Sequence, residues 1–77
     1  MAITVKFFAS LRERVGRGET TIDAGAAHTA RDVWARTAGA HAMPSNTLVA
    51  INMEYAPIDH PVRDGDEVAF FPPVTGG

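Results

Sequence analysis

The residues best suited to chemistry stand at the end of the sequence, where a strand-like run gives way to Pro72-Pro73-Val74-Thr75-Gly76-Gly77. Neither proline can donate to a β-ladder, and both favour an extended, polyproline-like path, so residues 72–77 are expected to form a flexible tail leaving a folded body at 1–71. At about 3.3–3.6 Å per residue the tail reaches at most roughly 20 Å, enough to enter another protein's active site while the body stays outside. Gly76 and Gly77 have no Cβ, so they suit a narrow channel and leave the carboxylate of Gly77 unhindered. That carboxylate is the expected working group. A Gly-Gly ending alone is weak evidence, since such ends are common in linkers. Its weight comes from the combination of a small domain, a last strand, a double-proline stiffener and a final glycine.

The body of the chain offers little else. Its histidines, His28, His41 and His60, are scattered among loops and helix ends, with no third ligand or orienting carboxylate indicated, so no metal site is expected. There is no cysteine, which excludes disulfides and thiolate metal sites. No Gly-rich phosphate loop appears, and Asp64-Gly65-Asp66 reads as a tight turn rather than a calcium loop. A net charge of −2 argues against nucleic-acid binding. Arg12, Arg14 and Arg17 cluster, but Glu13 and Glu19 interrupt them, as in a solvated helix end. No apolar run is long enough for a membrane span, and the first residues lack a secretory h-region, so a cytoplasmic location is expected.

A chain of 77 residues is one compact domain, and 45% hydrophobic residues suffice for one core. Ala2 to Phe8 alternates as a strand, and Ser10 with Glu13 has capping-box spacing for a short helix closed by Gly16 and Gly18. Glu19 to Asp23 is a second strand. Ala30, Val33, Trp34, Thr37 and Ala38 form one helical stripe, with Thr29 and Asp32 as a capping box, Gly39 as a stop and Trp34 as core anchor. Thr47 to Met53 reads as a central strand, Pro57 to Val62 as irregular, Arg63 to Asp66 as a turn, and Glu67 to Phe71 as the last strand. One main helix on a mixed sheet of four or five strands is an α+β roll. If Ile3, Val5, Phe7, Val68 and Phe70 point at the helix, Phe8 and Phe71 share the open face, with Tyr55 near its edge, and such an aromatic cluster marks a partner interface.

Asp64-Gly65-Asp66-Glu67-Val68-Ala69-Phe70-Phe71-Pro72-Pro73-Val74-Thr75-Gly76-Gly77 resembles the C-terminus of the ubiquitin-like sulfur carriers, most closely the small subunit of molybdopterin synthase. Lys6-Phe7-Phe8-Ala9, Leu11-Arg12-Glu13 and Leu48-Val49-Ala50-Ile51-Asn52 are similar to that family's first strand, turn and central strand, while Met53 departs from its polar residue. The resemblance implies a β-grasp (ubiquitin-like) fold and a protein cosubstrate rather than an enzyme. It also implies that an E1-like enzyme uses ATP and magnesium to adenylate Gly77, and that a sulfur donor converts the adenylate to a thiocarboxylate. The tail then enters the large synthase subunit, in a heterotetramer, and gives its sulfur to cyclic pyranopterin monophosphate to build molybdopterin. No permanently bound cofactor is expected. Three other readings stay open: a thiamine-type carrier serving a thiazole synthase, a ubiquitin-like modifier joined to target lysines, and a plain interaction module with an idle tail.

Overall fold

The computed structural model describes residues 1–39 and 41–73. In chain order the elements are β1 (Ala2–Phe7), α1 (Ala9–Val15), β2 (Glu19–Asp23), a 3-10 turn (Ala24–Ala26), α2 (Ala30–Thr37), β3 (Leu48–Ile51), β4 (Glu54–Ala56) and β5 (Glu67–Phe71). They form one five-stranded mixed sheet in the order β2-β1-β5-β3-β4. The first and last strands lie side by side and parallel at its centre, with Val5 opposite Val68 and Phe7 opposite Phe70. All other pairings are antiparallel.

Strict alternation makes one face of this sheet apolar. Ile3, Val5, Phe7, Val49, Ile51, Val68 and Phe70 are buried against Val33, Trp34 and Ala30 of α2. Phe7 and Phe70 stack at 5.7 Å, and Trp34 meets both edge-on, at 5.8 and 5.2 Å. The indole Nε1–H donates to the carbonyl of His41 at 2.9 Å, so the largest side chain of the core leaves no polar atom stranded. Trp34 therefore anchors helix to sheet, as the stripe predicts.

The capping box at the start of α2 forms as the spacing suggests. Asp32 N–H donates to Thr29 Oγ1 at 3.3 Å, and Asp32 Oδ2 accepts from the backbone N–H groups of Thr29 and His28 at 3.2 and 3.0 Å. The His28 N–H bond is the main reason the Asp32 carboxyl sits below its ordinary pKa; partial desolvation opposes it, and the Thr29 bonds add to it.

Three local expectations change. First, α1 begins at Ala9, one residue early, and its N-cap Phe8 makes no side-chain cap bond. The Phe8 carbonyl accepts the N–H groups of Leu11 and Arg12, and with the cap at Phe8 Ser10 lies inside the helix, where the Ser10–Glu13 box has no role. Second, β1 ends at Phe7 rather than Phe8, because Ala9 turns the chain out of the strand at φ 53°. Third, the expected strand from Thr47 to Met53 is a hairpin. Asn52 and Met53 lie at φ 54° and 70°, the left-handed pair of a two-residue type I′ turn, and β4 returns beside β3 as a fifth strand.

Candidate functional site

Among the described residues the sheet's second face carries no helix, and the strand registers fix what it displays. One row runs Tyr55, Ala50, Ala69, Lys6, Glu19 across the five strands. The next brings Leu48 opposite Phe71, with Phe8 just past the end of β1. Because β1 and β5 are parallel, Phe8 and the exit of β5 into Pro72-Pro73 emerge at the same end of the sheet; the Phe8 N–H donates to the carbonyl of Phe70 at 3.1 Å.

Tyr55 is 73% exposed and Phe8 47% exposed, while Phe71 is half-buried. The Tyr55 and Phe71 rings meet at 5.7 Å, tilted by 48°. Phe8 stands apart and forms no ring pair with the other aromatics among the described residues. The three predicted interface residues thus share one face, two of them in contact. Sequence reasoning missed Leu48, whose outward place beside Phe71 follows from the same alternation that buries Val49 and Ile51. It also missed the polar half of the face, where Lys6 Nζ lies 3.3 Å from Glu67 Oε1.

Pro72 and Pro73 follow β5 directly and are half-buried. Val74, Thr75, Gly76 and Gly77, the remaining predicted tail residues, lie outside the described residues. The Arg63–Asp66 turn is as expected: Gly65 is at φ 87°, Asp66 N–H donates to the Arg63 carbonyl at 3.0 Å, and Asp66 Oδ2 accepts from the Arg63 N–H at 2.8 Å. Asp66 Oδ1 also accepts from Asn52 Nδ2 at 2.9 Å, and Asn52 Oδ1 accepts from the Glu67 N–H at 3.0 Å. This network ties the β3–β4 hairpin to the start of β5 and so holds Tyr55 in line with Phe71.

His60 Nδ1 lies 2.8 Å from the carbonyl of Pro61, and no group of three or more His, Asp or Glu placed to hold a metal occurs among the described residues. A groove of about 750 Å³ runs beside β3 and β4 between Met43, Pro44, Leu48, Tyr55 and Ile58. Arg31, also on its wall, is paired with Asp59 at 3.1 Å. No helix among the described residues is long and apolar enough to cross a membrane.

The ThiS family pattern matches residues 5–77, nearly the whole chain. The chain belongs to the ThiS family. Its β-grasp architecture is shared with SAMP1 from Haloferax volcanii, a small archaeal modifier protein, at 29% identity and a TM-score of 0.79, with all of both chains covered. A molybdopterin synthase sulfur carrier subunit from Escherichia coli (strain K12) is 44% identical over 84 aligned positions, spanning 97% of this chain and 99% of the relative. Another, from Chlamydomonas reinhardtii, is 40% identical over the full length of both chains.

Proposed function

We propose that this ThiS-family chain is the sulfur carrier subunit of a molybdopterin synthase. The observation that carries the reading is the 44% identity over nearly the whole of both chains to a relative of that name. The open face joining Phe8, Phe71 and Tyr55 beside the exit of β5 supports it. A docking surface there would hold the body against a partner while residues 72–77 reach inward.

The working atom in this reading is the carboxylate carbon of Gly77. A carboxylate is a poor electrophile, so an E1-like enzyme with ATP and magnesium joins it to AMP, releasing pyrophosphate and creating a good leaving group. A sulfide-level nucleophile from the donor then forms the C–S bond as the C–O bond to AMP breaks with its electron pair leaving on AMP, and loss of the proton on sulfur leaves a thiocarboxylate. Docked on the large subunit, the tail delivers that sulfur to cyclic pyranopterin monophosphate at high effective concentration. Gly76 gives the carbonyl clearance, and Pro72-Pro73 aim it. The body supplies binding rather than catalysis, with base and oxyanion donors coming from the partners. The chain binds no permanent cofactor, works in the cytoplasm and assembles with the large subunit as a heterotetramer.

The test is intact mass after incubation with ATP, activating enzyme and sulfur donor. Replacement of one oxygen by sulfur, mapped to Gly77, is expected; an unchanged mass with a demonstrably active enzyme refutes the reading. The likeness to SAMP1 favours a second reading, attachment to target lysines as a modifier. That reading requires Gly77-linked amides on other proteins in place of free thiocarboxylate, and peptide mapping separates the two. The names of the relatives favour molybdopterin synthase over a thiazole-forming partner.

A further inference from the structure

An activated acyl group is a hazard to any amine it meets, and this chain carries few. Lys6 is its only lysine, and the other six of its seven Lys plus Arg are arginines, whose guanidinium does not acylate under the same conditions. The single lysine does not stand on a remote surface. Its register partner is Ala69, two residues before Phe71 and the exit of β5, and it lies in the same sheet row as Ala50 and Tyr55. Its side chain is 34% exposed, and its Nζ is paired with Glu67 Oε1 at 3.3 Å.

We propose that Lys6 is a masked acyl-acceptor site, closed by Glu67 and by any partner on the open face, and that an activated Gly77 carboxyl group acylates it when the mask is lifted. The inference rests on the adenylation at Gly77 proposed above. The chemistry needs no further reagent. Deprotonated Lys6 Nζ attacks the Gly77 carbonyl carbon, a C–N bond forms, the C–O bond to AMP breaks with its electron pair leaving on AMP, and one proton passes to solvent. The Glu67 carboxylate, 3.3 Å from Nζ, occupies the approach to the amine in the ion pair, so Glu67 screens the group while the carrier is loaded. Docking through Phe8, Phe71 and Tyr55 would then cover Lys6 during sulfur transfer. The acyl donor is either the same chain's tail or that of a second copy; the first gives a monomer lighter by one water, the second a covalent dimer.

Two arms test this on the full chain as wild type, Glu67→Gln and Lys6→Arg. In the first, each protein is acetylated with N-hydroxysuccinimidyl acetate, and labelling of Lys6 is measured against the Met1 amine by peptide mass spectrometry. Release of a surface ion pair predicts about two- to fivefold faster labelling of Lys6 in Glu67→Gln. In the second, each is incubated with ATP and activating enzyme, without sulfur donor or large subunit, and AMP release and intact mass are read together. A Lys6 amide is expected, more in Glu67→Gln than in wild type, absent in Lys6→Arg and suppressed by added large subunit. Equal labelling of Lys6 in wild type and Glu67→Gln overturns the mask. AMP turnover with no amide at Lys6, or an amide only at Met1, overturns the acceptor site while leaving the proposed function standing. Absence of adenylation with an active enzyme overturns the proposed function and the acceptor site with it, and the first arm still decides the mask.

Discussion

Met53→Gly should stabilise the domain. Met53 occupies the second central position of the β3–β4 turn at φ 70°, where an L-residue's Cβ crowds the following carbonyl at a cost of roughly 1–2 kcal/mol. Glycine removes that strain but enlarges the unfolded ensemble, which gives back about 0.4–1 kcal/mol. The side chain is 89% exposed, so its deletion forfeits little burial. The balance is a gain of about 0.5–1 kcal/mol, and the substitution would complete an Asn-Gly dipeptide, the preferred type I′ pair. For a domain this small that is roughly 2–8 °C in Tm. Urea titration followed by far-UV circular dichroism should show a higher midpoint at constant m, with a matching rise in the calorimetric transition. Met53→Val should move both the other way, because branching at Cβ makes the left-handed region less accessible. An unchanged or lower midpoint for Met53→Gly, with Met53→Val equal to wild type, would refute the strain argument.

Phe71→Ala is expected to weaken binding to the large synthase subunit by about 2 kcal/mol or more, roughly 30-fold, since the ring anchors the aromatic patch through Tyr55; calorimetric titration against a variant with native near-UV circular dichroism reads this, and equal affinity would remove Phe71 from the interface. Trp34→Ala should cost about 3–5 kcal/mol, a large part of the stability of so small a domain, measured by urea unfolding. Asp32 gives a pH signature: its carboxyl is depressed in the folded state, so its stabilisation is fully present above the ordinary carboxylate value of 3.8 and is lost as pH falls through the lower folded value. Wild type should therefore lose Tm more steeply than Asp32→Ala as pH falls below about 4, and parallel curves would show that the cap contributes nothing.

Sequence legibility follows the range of the interactions. The Thr29–Asp32 box, the Gly16 stop at φ 89° and the Gly65 turn are set within a few residues, and each is found where its spacing puts it. Ser10–Glu13 has the same spacing as a working box and fails because the helix already begins at Ala9 with Phe8 as its N-cap, so Ser10 is a helical residue rather than the cap. The hairpin at Asn52 is hidden in the sequence because Met53 is a poor residue for the turn it makes. Its formation is enforced from a distance, by Asn52 bonding to Asp66 and to the Glu67 backbone. Of the site, the outward direction of Phe8 and Phe71 is readable from period-two alternation. The Lys6–Glu67 pair is not, since it depends on β1 and β5 lying parallel in one particular register.

That register also couples the site to the core. Phe70 and Phe71 are adjacent, equally apolar and equally aromatic, so hydrophobicity alone does not decide which of them faces the helix. The decision is made by Phe7 and Trp34: Phe70 fills the slot between them, at 5.7 and 5.2 Å, and its neighbour must then point to the open face beside Leu48. A slip of β5 by one residue would bury Phe71, expose Phe70 and Val68, and move the strand exit away from Phe8. Deleting Ala69 imposes such a slip on the C-terminal half of β5. The deletion should therefore abolish partner binding even where some helical signal survives, whereas Phe71→Ala should impair binding and leave the unfolding transition cooperative. Loss of cooperativity in both variants would mean that Phe71 belongs to the core and that the open face is not an independent docking surface.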